Sequence, residues 1–183
     1  MRVPRSMIAL ATGLLAVSAL RATTLEHLSL SEMAQKSTSI VRARVAGSHS
    51  ANRDGAIYTY FQLQVLETWK ASGTTISQSA TEVAVPGGVA DGIRQIATGV
   101  PDLKVGQEYV LFLWTSRSGL TQVMGLSQGR FHVFDGIAQR PPASELMLDR
   151  SGHPVDDSGV NLRLDDLRAQ VRRALRQNPE ESK

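Results

Sequence analysis

One spacing in the chain could present a nucleophile, and it lies in residues 125–129 (GLSQG). In α/β-hydrolases the pattern Gly-x-Ser-x-Gly holds a serine on a sharp turn between a strand and a helix, so that its hydroxyl can attack an ester or amide. Here residues 130–134 alternate as a strand does, and no helix is predicted to follow Ser127. We therefore expect a bend between two strands, and a small exported serine hydrolase that uses Ser127 is the alternative function.

Four histidines are the other candidates for acid–base or metal chemistry, and they are His27, His49, His132 and His153. None of their spacings directs two imidazole nitrogens at one metal ion. The chain has no cysteine, which excludes thiolate ligands, a cysteine nucleophile and a disulfide framework. We therefore predict no metal, no cofactor and no catalytic residue, and we expect a protein that is not an enzyme.

Candidate binding features are weaker, and each has a structural explanation. Tyr58 and Tyr60 project from one side of a predicted strand, where paired rings can bind sugars or single strands, but cross-strand packing is the favoured interpretation. Residues 86–88 (PGG) lack the glycine spacing of a phosphate-binding loop. Four arginines could contact acidic lipids or a partner, although a solvated helix face is favoured; they are Arg168, Arg172, Arg173 and Arg176.

The composition is that of a folded chain with its basic charge at the two ends. Of 183 residues, 42% are hydrophobic and 20% are charged, which excludes wholesale disorder. Residues 1–22 carry three arginines and no acid, and residues 161–183 carry six basic and four acidic side chains. Residues 23–160 carry 11 basic and 13 acidic side chains. Because nucleic acid is bound by a concentrated basic surface, we predict no nucleic-acid partner.

Residues 1–22 have the features of an export signal. Arg2 and Arg5 precede an uncharged, mostly apolar run over residues 7–20, and small residues offer cleavage after Ala19 or Ala22. The run has 14 residues, fewer than the roughly 20 that span a bilayer, and an uncleaved anchor is the alternative. We predict a secreted or periplasmic protein with no transmembrane segment after signal removal.

Alternating and continuous apolar runs predict five to seven short strands. The clearest patterns cover residues 40–45, 57–69, 82–85 and 109–114, and further strands are predicted within 92–98, 120–124 and 129–134. Residues 47–55 (GSHSANRDG) are rich in turn formers and predict a loop. The pattern favours a mainly β fold, either a small antiparallel OB-like β-barrel or a sandwich, over alternating βαβ units.

Two helices and a hairpin complete the prediction. Ser29 and Glu32 have the spacing of a capping box, which predicts a short N-terminal helix over 31–36. Residues 145–155 predict a small hairpin, and Leu164, Leu167 and Val171 recur at the spacing of an amphipathic C-terminal helix. The chain divides into a signal peptide (1–22), a β-barrel domain (23–142) and a terminal hairpin and helix (143–183). Whether this helix packs on the barrel or binds a partner is left open.

Five segments carry a resemblance to a group of uncharacterised exported bacterial proteins. They are IVRARV (40–45), IYTYFQLQVLETWK (57–70), VAVPGG (83–88), VPDLKVGQEYVLFL (100–113) and VMGLSQGRFHV (123–133). The resemblance covers residues 28–134, and the order of strands is similar to the OB-type barrel of netrin-like modules, which include metalloproteinase inhibitors. Those inhibitors hold the protease metal through an N-terminal cysteine, which this chain lacks, so the resemblance implies architecture and not inhibition.

Together these features predict an exported, non-enzymatic binding or interaction module. We expect a monomer that binds an exported protein or a small ligand, either on the barrel face or at loops around residues 47–55 and 86–98. The sequence does not specify which ligand or partner is bound.

Overall fold

The computed structural model describes residues 24–71, 81–143 and 145–177. Residues 1–22, where the export signal is predicted, lie outside the described residues. The elements are β1 (Thr24–Glu26), α1 (Leu30–Lys36), β2 (Ser39–Arg53), β3 (Ala56–Lys70), β4 (Thr81–Pro86), β5 (Gly88–Ala90), β6 (Ile93–Gln95), β7 (Glu108–Thr115), β8 (Thr121–Val123), β9 (Arg130–Phe134), β10 (Ile137–Arg140), β11 (Leu146–Leu148), β12 (Pro154–Val155), β13 (Val160–Arg163) and α2 (Leu164–Arg176).

One large antiparallel sheet dominates the fold, with strand order β13-β10-β9-β7-β2-β3-β4 and with β8 paired to β7. The prediction of a mainly β, antiparallel protein is therefore confirmed. The sequence predicted a barrel or a sandwich; the hydrogen-bonded path of the described strands ends at β13 and β4, so they form an open sheet and no closed barrel. Strand β4 lies against β8 without pairing to it, which shows that the sheet curves.

The longest hairpin, β2–β3, overturns one prediction. A loop was predicted over residues 47–55, but β2 continues to Arg53 and pairs with β3 up to Ala56. Asp54 and Gly55 form the turn, with φ of 54° and 84°, and two-residue hairpin loops favour Asp-Gly because both positions need positive φ. Asn52 supports the turn by accepting a 3.1 Å hydrogen bond from the Gly55 amide.

The sheet separates two apolar cores. On one face, Ile40, Val110 and Phe112 pack beneath the two helices. On the other face, alternate residues of the same strands, among them Val41 and Leu111, pack against the curved continuation of the sheet in β3 and β4. Strand β7 is buried on both faces, as its almost entirely apolar sequence predicted.

Both predicted helices form, and they pack on each other. In α1, Ser29 is the N-cap, and it forms a complete capping box with Glu32. In α2, the predicted face is buried through Leu164, Leu167 and Val171, with acids in the first turn and arginines in the last. The helix packs on the helix-covered face of the sheet, which answers the question that the sequence left open.

The segment after residue 143 contributes to two sheets. The predicted terminal hairpin forms as β11 and β12, and β1 joins it by parallel pairing with β11. Strand β13 pairs with β10 and so adds an edge strand to the large sheet.

No helix of the described residues is long and apolar enough to cross a membrane.

A buried glutamine ties the N-terminal segment to the turn after β8. Gln128 is 2% exposed, and its side chain accepts from the Leu28 amide at 2.9 Å and donates to the Glu26 carbonyl at 2.9 Å. We expect Gln128→Ala to lower the free energy of unfolding by about 1–2 kcal/mol, because two backbone groups lose their partner. Urea denaturation measures the change. The neighbouring Ser127→Ala is the control, and equal losses in the two variants would contradict this role.

Candidate functional site

A polar row crosses four strands on the face of the sheet that the helices leave free. Tyr109 of β7 lies opposite His132 of β9, which lies opposite Gln139 of β10, which lies opposite Asn161 of β13. Phe131, the neighbour of His132, points the other way and is buried under the helices. Because side chains alternate along a strand, this burial places the polar row on the opposite face.

The row lines a groove of about 580 Å³. One wall comes from the segment before β7, with Asp102, Lys104 and Gln107, and the other from residues 158–160 before and at the start of β13. Arg130 and Arg140 also line it. Volumes of this size are those of small-molecule binding sites.

Tyr109 joins the first wall to the groove. Its ring is buried, and its hydroxyl donates to Gln107 Oε1 at 2.8 Å and accepts from the Lys104 amide at 3.1 Å. The ring centroid is 5.4 Å from that of His132. His132 in turn stacks on Phe134, at 6.5 Å and an interplanar angle of 13°. Tyr109 and His132 therefore begin a line of three rings, which extends beyond the groove lining and ends at the exposed Phe134.

The second wall depends on a buried ion pair. Arg140 Nη1 and Nη2 donate to Asp157 Oδ2 and Oδ1 at 2.6 and 2.7 Å, and the two side chains are 9% and 7% exposed. Asp157 also accepts from the amides of Ala143 and Gly159, at 2.8 and 3.2 Å. The hydrogen bonds from Arg140, opposed by burial and aided by the two amides, lower the pKa of Asp157 to about 2.

Gly159 is required in this wall for two reasons. Its φ is +75°, a conformation that other residues rarely adopt. A Cβ atom at this position would also lie 2.7 Å from the carbonyl oxygen of Arg140 and 2.9 Å from the nitrogen of Pro142. The backbone of the wall therefore approaches β10 too closely for any side chain.

Arg130 is the cation of the groove that no carboxylate balances within the described part of the chain. Its Nη1 donates to the backbone oxygen of Asp102 at 3.0 Å, while the Asp102 carboxylate lies 3.6 Å from Lys104 Nζ. The guanidinium carbon lies 5.9 Å from the centroid of the Tyr109 ring, within range of a cation–π interaction. The groove is thus polar with a local excess of positive charge.

The structure places Ser127 in the turn between β8 and β9. Its carbonyl accepts from the Arg130 amide at 3.3 Å, and β9 follows instead of a helix. Among the described residues, no hydrogen bond joins its hydroxyl to a histidine. The nucleophile elbow that the letters suggest is therefore not formed.

The four histidines lie in separate places. His132 is in the groove, His49 stacks on Tyr60 at 5.3 Å, and His153 lies 3.6 Å from Asp149 on the terminal hairpin. The backbone amide of His27 donates to Leu148 and continues the pairing of β1 with β11. Within the ranges that the structure describes, no three histidine or carboxylate side chains are grouped as metal ligands.

The other sequence candidates are accounted for by packing and surface exposure. Tyr58 and Tyr60 contact each other at 6.3 Å on β3, and Tyr60 packs across the hairpin on His49, as the cross-strand interpretation predicted. Arg168 binds Glu67 and covers the Trp69 ring, whereas the exposed arginines of α2 are Arg172, Arg173 and Arg176. Of the two predicted binding loops, residues 86–98 contain the small hairpin β5–β6.

Sequence reasoning missed the groove, because it comes from four strands and two connections that are far apart in the chain. Of the groove residues, the sequence indicates His132 as a candidate but not Arg130, Gln139 or Asn161. The available signal was the alternation in β9, since Arg130, His132 and Phe134 share one side of a strand whose other side is apolar. Which residues of β10 and β13 lie beside them follows only from the strand register, which the structure shows.

No protein-family model, curated protein or solved structure matches this chain.

Proposed function

We propose that the chain is an exported, non-enzymatic binding module whose ligand lies in the groove on the free face of the sheet. The observation that carries the proposal is the aligned row of Tyr109, His132, Gln139 and Asn161 at the bottom of that groove. A concave site with a few convergent polar groups is the usual form of a small-molecule site. Export is inferred from the pattern of residues 1–22.

The geometry favours binding over turnover. Ser127, the nucleophile of the alternative hydrolase, lies outside the groove lining and has no hydrogen bond to a histidine within the described residues. The groove itself offers hydrogen-bonding amides, rings and cations that fix a ligand in place. We therefore propose binding and not hydrolysis.

The architecture supports a further part of the proposal. Strands β4, β3, β2, β7 and β8 wrap around one of the two cores, with β4 lying against β8. We interpret this unit as an opened relative of the OB-like barrels to which netrin-like modules belong. The groove lies beside it, on the extension of the sheet formed by β9, β10 and β13, and we expect the module to act as a monomer.

The proposal is tested by filling the groove. We test a panel of neutral sugars, sugar acids, dicarboxylates and dipeptides by protein-observed NMR. We expect at least one of these classes to shift the amide signals of residues 107–109, 130–132, 139 and 161. Gln139→Trp places a bulky ring on an exposed groove position, and it should abolish these shifts. Gln64→Trp, on an exposed position of β3, is the matched control and should leave them unchanged.

Two results would contradict the proposal. One is a panel that produces no shifts in these residues. The other is a ligand that binds Gln139→Trp as tightly as the unmodified protein, since such a ligand would occupy another surface.

A further inference from the structure

When the ion pairs around the groove are counted, one cation has no carboxylate partner among the described residues. Lys104 is paired with Asp102, and Arg140 is paired with Asp157. Arg130, within the described residues, has no ion pair and donates only to a backbone carbonyl. A ligand that matches this balance carries one negative charge near Arg130.

Hydrogen-bond donors are also in excess. Three buried side-chain nitrogens of the described residues have no hydrogen-bond partner, and two of them are Nε of Arg130 and Nε of Arg140. Both arginines line the groove. Guanidinium groups donate hydrogen bonds and accept none, so this part of the groove favours a ligand group rich in acceptor oxygens.

Amides line the groove, and an exposed ring lies just beyond its lining, next to His132. Arg130, His132 and Phe134 are alternate residues of one strand, so about 13 Å of strand separates the cation from the terminal ring. Phe134 is 71% exposed, and its stacking on His132 leaves an apolar ring surface available. Between the two ends, Gln139 and Asn161 supply amide donors and acceptors.

We propose that the groove binds an acidic sugar chain, with the carboxylate of a uronic acid residue on Arg130. This inference rests on the proposed function and specifies the ligand of that site. A pyranose ring has hydroxyl groups that suit Gln139 and Asn161, and an apolar face that packs on an aromatic ring such as Phe134.

The single unpaired cation of the groove favours a carboxylate over a phosphate. A phosphate monoester carries about −1.5 to −2 charges at neutral pH and is bound by clusters of arginines. Here the second arginine, Arg140, already has both of its Nη groups on Asp157. One uncompensated guanidinium matches the single charge of a carboxylate, which it can bind through two parallel hydrogen bonds.

The test compares a sugar acid with its own uncharged form. Isothermal titration calorimetry with glucuronosyl-xylobiose, which carries one carboxylate, should show binding, and its methyl ester should bind at least tenfold more weakly. Arg130→Gln should weaken the acid at least tenfold and the ester by no more than about threefold, and the retained ester binding shows that the variant is folded. Arg44→Gln, on an exposed arginine of β2, is the control and should change neither ligand. Phe134→Ala should weaken both ligands alike.

Each contrary result has a definite meaning. Equal binding of acid and ester, or an unchanged affinity in Arg130→Gln, overturns the carboxylate. Succinate or a dipeptide that binds the groove as tightly as glucuronosyl-xylobiose overturns the sugar, and so does the absence of glucuronosyl-xylobiose binding at millimolar concentration. In these cases the proposed function still stands if another panel ligand gives shifts that Gln139→Trp abolishes.

Discussion

Asp157→Asn is expected to lower the free energy of unfolding by about 3–5 kcal/mol, because it leaves the buried Arg140 guanidinium without its carboxylate. The substitution also replaces an acceptor of two backbone amides, those of Ala143 and Gly159. Urea denaturation at neutral pH measures the loss. The adjacent Asp156→Asn removes an exposed carboxylate and is the control, for which we expect a change below about 0.5 kcal/mol.

The same carboxylate gives the protein an acid-sensitive component of stability. Its pKa falls from 3.8 to about 2 on folding, so the folded state favours the ionised form. This contribution, of about 2 kcal/mol, is fully present above pH 4 and is lost as the pH falls through the folded pKa. The amide that Asp157→Asn introduces does not titrate, so the difference in stability between the variant and the unmodified protein should shrink between pH 4 and pH 2. A constant difference over that range would show that Asp157 is not the group responsible.

Glu67→Gln is expected to lower the free energy of unfolding by about 2–3 kcal/mol, because the carboxylate joins helix α2 to the sheet. Arg168 Nη2 donates to both of its oxygens at 2.9 and 2.7 Å, and Arg42 Nη1 donates at 2.7 Å. Trp69 Nε1 donates at 3.0 Å. Burial raises the pKa of Glu67, but the hydrogen bonds from Trp69, Arg42 and Arg168 outweigh it and hold the pKa below its usual value.

The matched control for this prediction uses the same arginine. Asp165 also accepts from Arg168 Nη1, at 2.8 Å, but its side chain is 86% exposed. Exposed ion pairs contribute little, so Asp165→Asn should change the stability by less than about 0.5 kcal/mol. Urea denaturation monitored by the helical circular-dichroism signal measures both variants. Equal effects would mean that Glu67 does not anchor the helix.

Local patterns were sufficient to predict most of the elements. The capping box of Ser29 and Glu32, the alternation over residues 57–69 and the helical spacing of Leu164, Leu167 and Val171 all have their physical cause within one turn or one strand. These interactions depend on neighbours in the sequence. The structure accordingly contains the strand and both helices.

The predicted loop over residues 47–55, of which only Asp54 and Gly55 form a turn, shows where local patterns fail. Gly47, Ser48 and Ser50 are common in turns, but here they are paired with β3, and this pairing depends on the turn at Asp54 and Gly55. The Asp-Gly pair was the stronger hairpin signal in that segment. Tertiary pairing thus overrode residue preference, as it often does in strands.

The candidate site was less accessible to prediction than the fold. A row such as Tyr109, His132, Gln139 and Asn161 exists only in one register of four strands, and a shift by one residue would place each side chain on the other face. The uncompensated charge of Arg130 likewise depends on which acids are already paired. Neither property can be determined from spacing within a single segment.

The pairing of β1 with β11, together with the Gln128 contacts to the segment after β1, has a consequence for how the chain reaches its native state. Leu28 and Gln128 are 100 residues apart, and β11 follows later still. A topology with so many non-local contacts folds more slowly than one in which most contacts join residues close in sequence. The entropy cost of closing long loops must be met before the stabilising contacts can form. During synthesis, β11 emerges from the ribosome long after β1 and most of the large sheet. The segment that contains β1 therefore waits unpaired until nearly all of the strands have been translated.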